Sequence, residues 1–363
     1  MTFAAEGGWS GAEMARTREE RLTPARLVGL HASGALVLLL AVLVALAIGP
    51  VSIDPLAAWR APADDPGHVI LFGARMPRVL LAALVGGALG LAGAGLQALL
   101  QNPLACPHVL GISGGAALAG ILAMNVVPAA AAGGPATGVP LWFVPAAAFA
   151  GAMGTAALVH AVARTGGRVT PHSLLLTGVV FNAFAAALIT FLNSISDFTR
   201  AYGILAWVIG ALVPRGPMWT WAAGLTLLGG LLLLSACARD LNALGLGEEG
   251  AFSLGVDVPR VRRLVFLAVA LLVAGAVPVS GMIGFVGLIV PHGMRLLVGN
   301  DQRVVLPASL WGGAVFLVLA DTVARSVLGA TELPVGVVTA LCGGPFFLYL
   351  LHRGARGVSG EVA

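Results

Sequence analysis

The sequence has no lysine. All 20 basic residues are arginine, set against 16 acids in 363 residues. A Walker A loop needs Gly-Lys-Ser/Thr to cradle nucleotide phosphates, and a Schiff-base enzyme needs an amine, so neither chemistry belongs to this chain. Charge of either sign is scarce: 10% of the residues are charged and 58% are apolar. A soluble chain carries about 25% charged residues, which places this one outside that class. Cysteine is also sparse. Cys106, Cys237 and Cys342 stand far apart, with no Cys-x-x-Cys or Cys-x-x-His spacing, which argues against a disulfide framework or a thiolate metal site. No His-Glu-x-x-His helix is present, and no close carboxylate pair lies inside the expected spans, so zinc-hydrolase and acid–base readings are poor.

What the chain has is apolar runs long enough to cross a bilayer, about 20 residues each, along its whole length. Punctuation by Arg, Pro and Gly divides them into ten expected spans: Leu27–Ile48, Val79–Leu100, Val109–Val127, Val144–Val162, Leu174–Ser194, Met218–Cys237, Leu264–Val279, Ile283–Val298, Val304–Val323 and Val335–Leu351. The expected fold is all-α and polytopic: a cytoplasmic arm over 1–26, a transmembrane domain over 27–352 with an inner loop at 238–263, and a cytoplasmic tail over 353–363. Pro278, Gly281, Gly284 and Gly287 break the run between the seventh and eighth spans; merged into one, they would make the topology odd and leave the C-terminal arginines outside. No segment between spans reaches the ~50 residues that a folded domain needs.

Arginine bookkeeping orients the spans. With the N-terminus inside, Arg16, Arg18, Arg21, Arg26, Arg164, Arg168, Arg239, Arg260, Arg262, Arg263, Arg295, Arg303, Arg353 and Arg356 face the cytoplasm. Arg60, Arg75, Arg78, Arg200, Arg215 and Arg325 face outward, and the excess inside follows the positive-inside rule. The net charge of +4 is therefore topological and gives no reason to invoke nucleic acid. Lipid tails are as apolar as leucine, so helices in a bilayer associate by close packing. Gly86, Gly87, Gly90, Gly93 and Gly95, with Gly111, Gly114, Gly115 and Gly120, read as such packing faces.

Several groups are open to two readings. Leu241, Leu244, Phe252 and Leu254, with Glu248 and Glu249, lie in a glycine-broken loop that suggests two short amphipathic helices at the inner surface. They form a mere connector or a docking surface. Arg75, Arg78 and Arg325 run against the charge bias, and either snorkel to lipid phosphates or meet an acidic partner. Asp321 precedes Arg325 by four residues, a spacing that favours a helix ion pair over an intramembrane ion site. Glu332 reads as an acid opposing a helix dipole, His292 as a packed histidine, and Asn102-Pro103 as a turn.

Together, Arg75-Met-Pro-Arg-Val-Leu-Leu, Gln97 through Asn102-Pro-Leu-Ala, Gly111-Ile-Ser-Gly-Gly-Ala, Leu241-Asn-Ala-Leu-Gly-Leu-Gly-Glu-Glu, Ser253-Leu-Gly-Val, Ile283-Gly-Phe-Val-Gly-Leu-Ile-Val-Pro-His, Ala320-Asp-Thr-Val-Ala-Arg and Glu332-Leu-Pro-Val-Gly-Val-Val-Thr-Ala resemble the FecCD family. Its members are permease subunits of type II ABC importers for ferric siderophores, haem and cobalamin. The resemblance implies a ten-span homodimer with an inverted-topology repeat relating spans two to five and seven to ten. Two cytoplasmic ATPase subunits would consume ATP and Mg, a periplasmic binding protein would deliver substrate, and this chain would bind no cofactor itself. Arg75, Arg78 and Arg325 match the family's outer docking arginines, the 241–256 loop its coupling helices, and Asn102 and Leu104 positions at an inner gate. Pro171-His172 replaces the small hydroxyl residues of the family's cobalamin permease at another part of that gate. Phe181, Asn182 and Thr190 are candidate pathway residues. The rival reading is an ion-coupled secondary transporter using Asp321.

Overall fold

The computed structural model describes residues 23–126, 142–165, 168–213, 216–329 and 332–359. Arg16, Arg18, Arg21, Arg215 and most of the 1–26 arm lie outside the described residues. The chain is helical, apart from a two-residue antiparallel pairing of Arg164–Thr165 with Arg168–Val169. Helix α1 (Pro24–Ala47) opens with Thr23 capping the Arg26 N–H and Pro24 in the first turn, where a missing N–H costs nothing. Short α2 (Pro55–Arg60) leads into α3 (Pro66–Leu100), a 35-residue helix that is π-helical over Val69–Arg75. Then follow α4 (Ile112–Val126), α5 (Phe143–Val162), α6 (Pro171–Ser194), α7 (Phe198–Ile209), α8 (Pro217–Ala236), α9 (Ala238–Leu244), α10 (Glu248–Ser253), α11 (Val258–Ser280), α12 (Val286–Val298), α13 (Gln302–Ser326) and α14 (Val335–Ser359).

Each of the ten expected spans falls on its own helix. Seven helices among the described residues are long and apolar enough to cross a membrane. α4, α7, α12 and Val335–Leu348 of α14 are apolar but shorter. The break between the seventh and eighth spans is real: Gly281 ends α11 at φ 63° and Phe285 stands before α12 at φ 66°. Three things differ from expectation. α7 is an additional helix, α14 continues through 353–359 where a tail was expected, and the 49–78 loop already contains α2 and the first turns of α3.

Helices α3, α11 and α13 form the core, whereas α1, α6 and α8 expose most of their surface. Those outer helices are apolar nonetheless, with Leu36, Leu39, Leu40 and Leu43 of α1 and Trp221, Leu225 and Leu232 of α8 all exposed. Such a surface suits a lipid solvent. α3 and α13 make the most extensive packing in the molecule. Their crossing depends on absent side chains: a Cβ on Gly86 would strike the Gly313 carbonyl, and one on Gly90 the Ser309 carbonyl. The glycines expected to form packing faces therefore do so.

A symmetry runs through the contacts. α3 packs on α11, and each also packs on the other's following helices, α3 on α12 and α13, α11 on α4 and α5. The turns match as well. Gln101 ends α3 at positive φ and Gly111 precedes α4 there, as Gly281 ends α11 and Phe285 precedes α12.

Candidate functional site

Polar groups gather at the two ends of the bundle. At one end α1 stops at Ala47, leaving its last carbonyls without intrahelical partners, a costly state away from water. Two arginines supply the donors. Arg75 donates to the carbonyls of Leu46 at 2.6 Å and Ala47 at 3.3 Å and also to that of Val51, while Arg325 donates to that of Ala45 at 2.5 Å. Both are almost wholly buried, 4% and 2% exposed. Asp321, equally buried, receives Arg78 through Nε at 3.0 Å and Nη2 at 2.9 Å, and lies 3.6 Å from Arg325 Nε. Arg78 reaches outward to Glu332 at 2.6 Å. Five charged groups from α3, α13 and the segment before α14 thus form one cluster.

This arrangement sorts the three outer arginines. Arg75 and Arg325 are buried and occupied inside the chain; Arg78, 16% exposed, is half-buried and reaches the exposed Glu332. The Asp321–Arg325 helix pair forms as its spacing implied, but the stronger partner of Asp321 is Arg78, 243 residues away. Glu332, expected only to oppose a helix dipole, is an ion-pair partner. Chain separations of this size leave no local pattern to read.

At the opposite end, the loop after α8 folds into α9 and α10, the two short helices expected there. Their side chains divide into anchors and exposed groups. Leu241 and Leu244 are buried, 1% and 2% exposed, and hold the loop against the bundle. Phe252, Leu254 and Leu246 are exposed. Glu248 and Glu249 open α10 next to its helix dipole, and Glu248 also pairs with Arg262 of α11. The anchors have polar reinforcement. Gln101 donates to the Leu244 carbonyl. Asn242 donates to Asp301 at 2.7 Å and accepts from the Gln302 N–H at 2.8 Å, joining α9 to the start of α13. Burial alone would raise the Asp301 carboxyl, but the hydrogen bonds from Arg303 and Asn242 outweigh it and hold it at about 2. The Asn242–Asp301 clasp and Leu246 were not singled out from the sequence. Leu246 could have been, as a leucine between two glycines in an otherwise paired loop.

At the same end, Asn102 closes its turn by accepting the Leu104 N–H at 2.9 Å, and Leu104 is exposed. Pro171 opens α6 behind a capping box of Thr170 and Ser173, and His172 is exposed beside it. Phe181 and Asn182 are half-buried: Asn182 donates to the His108 carbonyl at 2.5 Å, and Phe181 lies where a side chain on Gly111 would be. Thr190 is exposed on α6, as are Val180, Phe184 and Phe191. One turn earlier on α3, buried Gln97 donates to the Leu288 carbonyl at 3.2 Å and accepts from Arg295, connecting α3 to α12. His292 packs edge-on to Phe346 at 6.2 Å. Among the described residues no cluster of His, Cys, Asp or Glu could hold a metal.

A paired carboxylate at one end and a clamped pair of short helices at the other thus frame the bundle. The FecCD transport family matches residues 37–353. The cobalamin import system permease protein BtuC of Halobacterium salinarum is 43% identical over 303 residues, covering 81% of this chain and 78% of that one. The hemin transport system permease protein HmuU of Yersinia pestis is 37% identical over 338 residues, covering 89% and 96%. Among solved structures, one described as an inward-facing conformation of a putative metal-chelate type ABC transporter superposes with a TM-score of 0.76 at 32% identity, over 90% of this chain and 99% of its own.

Proposed function

The chain belongs to the FecCD transport family, and from that premise we propose that it is one half of a homodimeric, ten-span permease that moves a metal chelate, a ferric siderophore, haem or cobalamin, into the cytoplasm. The observation that carries this reading is the inner pair of short helices. α9 is fastened through Leu241, Leu244, Gln101 and the Asn242–Asp301 clasp, and α10 through Glu248–Arg262, while Phe252, Leu246 and Leu254 remain exposed. A rigidly seated lever with an apolar outer face suits a partner that pushes. A chain without a P-loop takes its energy from such a partner, here a pair of ATPase subunits using ATP and Mg.

At the outer end, Arg78 is the arginine available to an acidic lobe of a periplasmic binding protein, with Arg75 and Arg325 holding the platform behind it. The matched packing of α3 and α11, and the matched positive-φ turns before α4 and α12, support an inverted repeat of spans two to five and seven to ten. Exposed faces on α6 (Val180, Phe184, Phe191) and α14 (Leu341, Leu348) offer the surfaces for a second copy, with Thr190 on the pathway. Asn102, Leu104, Pro171 and His172 stand at the inner gate, with Phe181 and Asn182 bracing it. The proposed location is the bacterial inner membrane, and the excess of arginine on one side supports an orientation with both termini in the cytoplasm.

Reconstitution tests this. Proteoliposomes holding the chain with its ATPase should accumulate chelate only with binding protein outside and ATP inside. Uptake driven by a proton gradient with no ATPase present would refute the reading in favour of ion-coupled transport.

A further inference from the structure

Two cavities meet on the flank of the bundle where α5 and α11 run side by side. One is an apolar groove of about 260 Å³, walled by Met153, Phe266 and Leu267 and floored by small residues, Ala156, Ala157 and Ala270. The other, about 620 Å³, opens at the inner end of the groove against α10 and carries Arg164, Arg262, Arg263, Glu248 and Glu249. His160 and Arg263 line both, so the two are continuous. From Met153 to His160, or from Arg263 to Ala270, the groove follows each helix for seven residues, about 10 Å at the α-helical rise. That is about a third of the hydrocarbon thickness of a bilayer.

The charges in the polar cavity do not cancel. Glu248 is taken by Arg262. Arg263 donates through Nε to the Pro259 carbonyl at 3.3 Å, and neither it nor Arg164 has an acidic partner among the described residues. Against these two arginines stands only Glu249, with His160 at the junction, its ring 5.7 Å from that of Phe266. A positive pocket at the mouth of an apolar trough matches a molecule with a phosphate at one end and a hydrocarbon chain at the other.

We propose that this continuous groove holds one anionic phospholipid, its phosphate at Arg164 and Arg263 and the upper part of one acyl chain between α5 and α11. The inner-leaflet placement rests on the orientation proposed above; the site itself does not. Glu248, Phe252 and Ser253 of α10 form part of the cavity wall, so the headgroup fills the space behind the lever helix. A bare phosphate would leave the trough empty, and a zwitterionic lipid would leave the arginines uncompensated.

Lipid titration of the purified full-length chain in detergent, read by native mass spectrometry, tests the site without ATPase or transport, so a failed importer reading would leave the result interpretable. Phosphatidylglycerol should bind with phosphatidylcholine and phosphatidylethanolamine well behind. Each arginine near an anionic headgroup is worth about fivefold in affinity. Arg263→Gln should therefore weaken phosphatidylglycerol about fivefold, and Arg164→Gln with Arg263→Gln about 25-fold. Ala157→Phe, which fills the trough and touches no charge, should weaken it too, while Arg260→Gln, outside both walls, should not. The proposal is overturned if the double arginine variant binds as well as the wild type, if the zwitterionic lipids bind equally, or if inorganic phosphate displaces the lipid.

Discussion

Replacing Asp321 with asparagine keeps the shape of the side chain and removes its charge, and the consequence can be worked from the cluster around it. The carboxylate is 1% exposed and receives two hydrogen bonds from Arg78, with Arg325 at 3.6 Å. Arg325 is itself 2% exposed and has no other carboxylate within ion-pair distance among the described residues. Leaving a buried charge without its partner costs about 3–5 kcal/mol. Glu332 remains on Arg78, but it is half exposed and compensates only that arginine. The expected loss for Asp321→Asn is therefore about 3 kcal/mol, the lower end of that range. Equilibrium unfolding of the purified chain in mixed micelles measures it. Adding Arg325→Met removes the second orphan, so the double variant should be more stable than the sum of the singles by about 1–2 kcal/mol, within the range seen for residues in contact. A single variant within 1 kcal/mol of the wild type, or a cycle additive to about 0.5 kcal/mol, would refute the cluster as a mutual counterion set. Transport adds a second arm. Folded Asp321→Asn protein should still import with its ATPase, because the carboxylate serves structure; full stability with abolished transport would restore the ion-site reading.

Three further outcomes follow from the same geometry. Phe252→Asp, at an exposed site, should leave the chain folded and release the ATPase on co-purification, whereas Leu244→Asp buries a charge and should fail at folding by several kcal/mol; equal ATPase retention in a folded Phe252→Asp variant would remove that residue from the interface. Glu332→Gln frees Arg78 from an exposed internal carboxylate, so binding-protein affinity should rise a few-fold at low salt, consistent with ~0.2–1 kcal/mol for an exposed pair, and the gain should vanish at high salt. The Asp301 carboxyl is held at about 2, below its unfolded value near 3.9, so the clasp to α9 contributes stability fully above pH 4 and loses it as pH falls from about 4 to 2. Hydrogen exchange at Gln302, whose N–H reports the clasp, should accelerate, relative to its intrinsic rate, over that window and be pH-insensitive there in Asp301→Asn.

Much of the architecture is legible in the one-dimensional pattern because lipid is an undemanding solvent. Any helix that crosses it must be long and apolar, and this composition advertises itself at every span. Glycines read as packing faces proved so because close approach in a bilayer has few other routes: Gly86 and Gly90 meet backbone carbonyls of α13. Helix α7 escaped notice because its 12 residues are too few to register as a span.

The functional residues behaved differently. Residue identity marked Arg75, Arg78, Arg325, Leu241, Leu244 and Phe252, but exposure divided them, and exposure depends on what each helix packs against. Arg75 turned inward because the end of α1, some 30 residues earlier, left carbonyls needing donors. Glu332 became a partner of Arg78, and Asn242 of Asp301, only because helices distant in sequence end at the same level of the bundle. The lipid solvent, the apolar runs and the lack of a Walker A loop follow from composition and spacing along the chain. Which charges neutralise one another, and which remain at the surface for a partner or a lipid, depends on how the helices pack, because electrostatic pairing acts over a few ångströms of space whatever the distance along the chain.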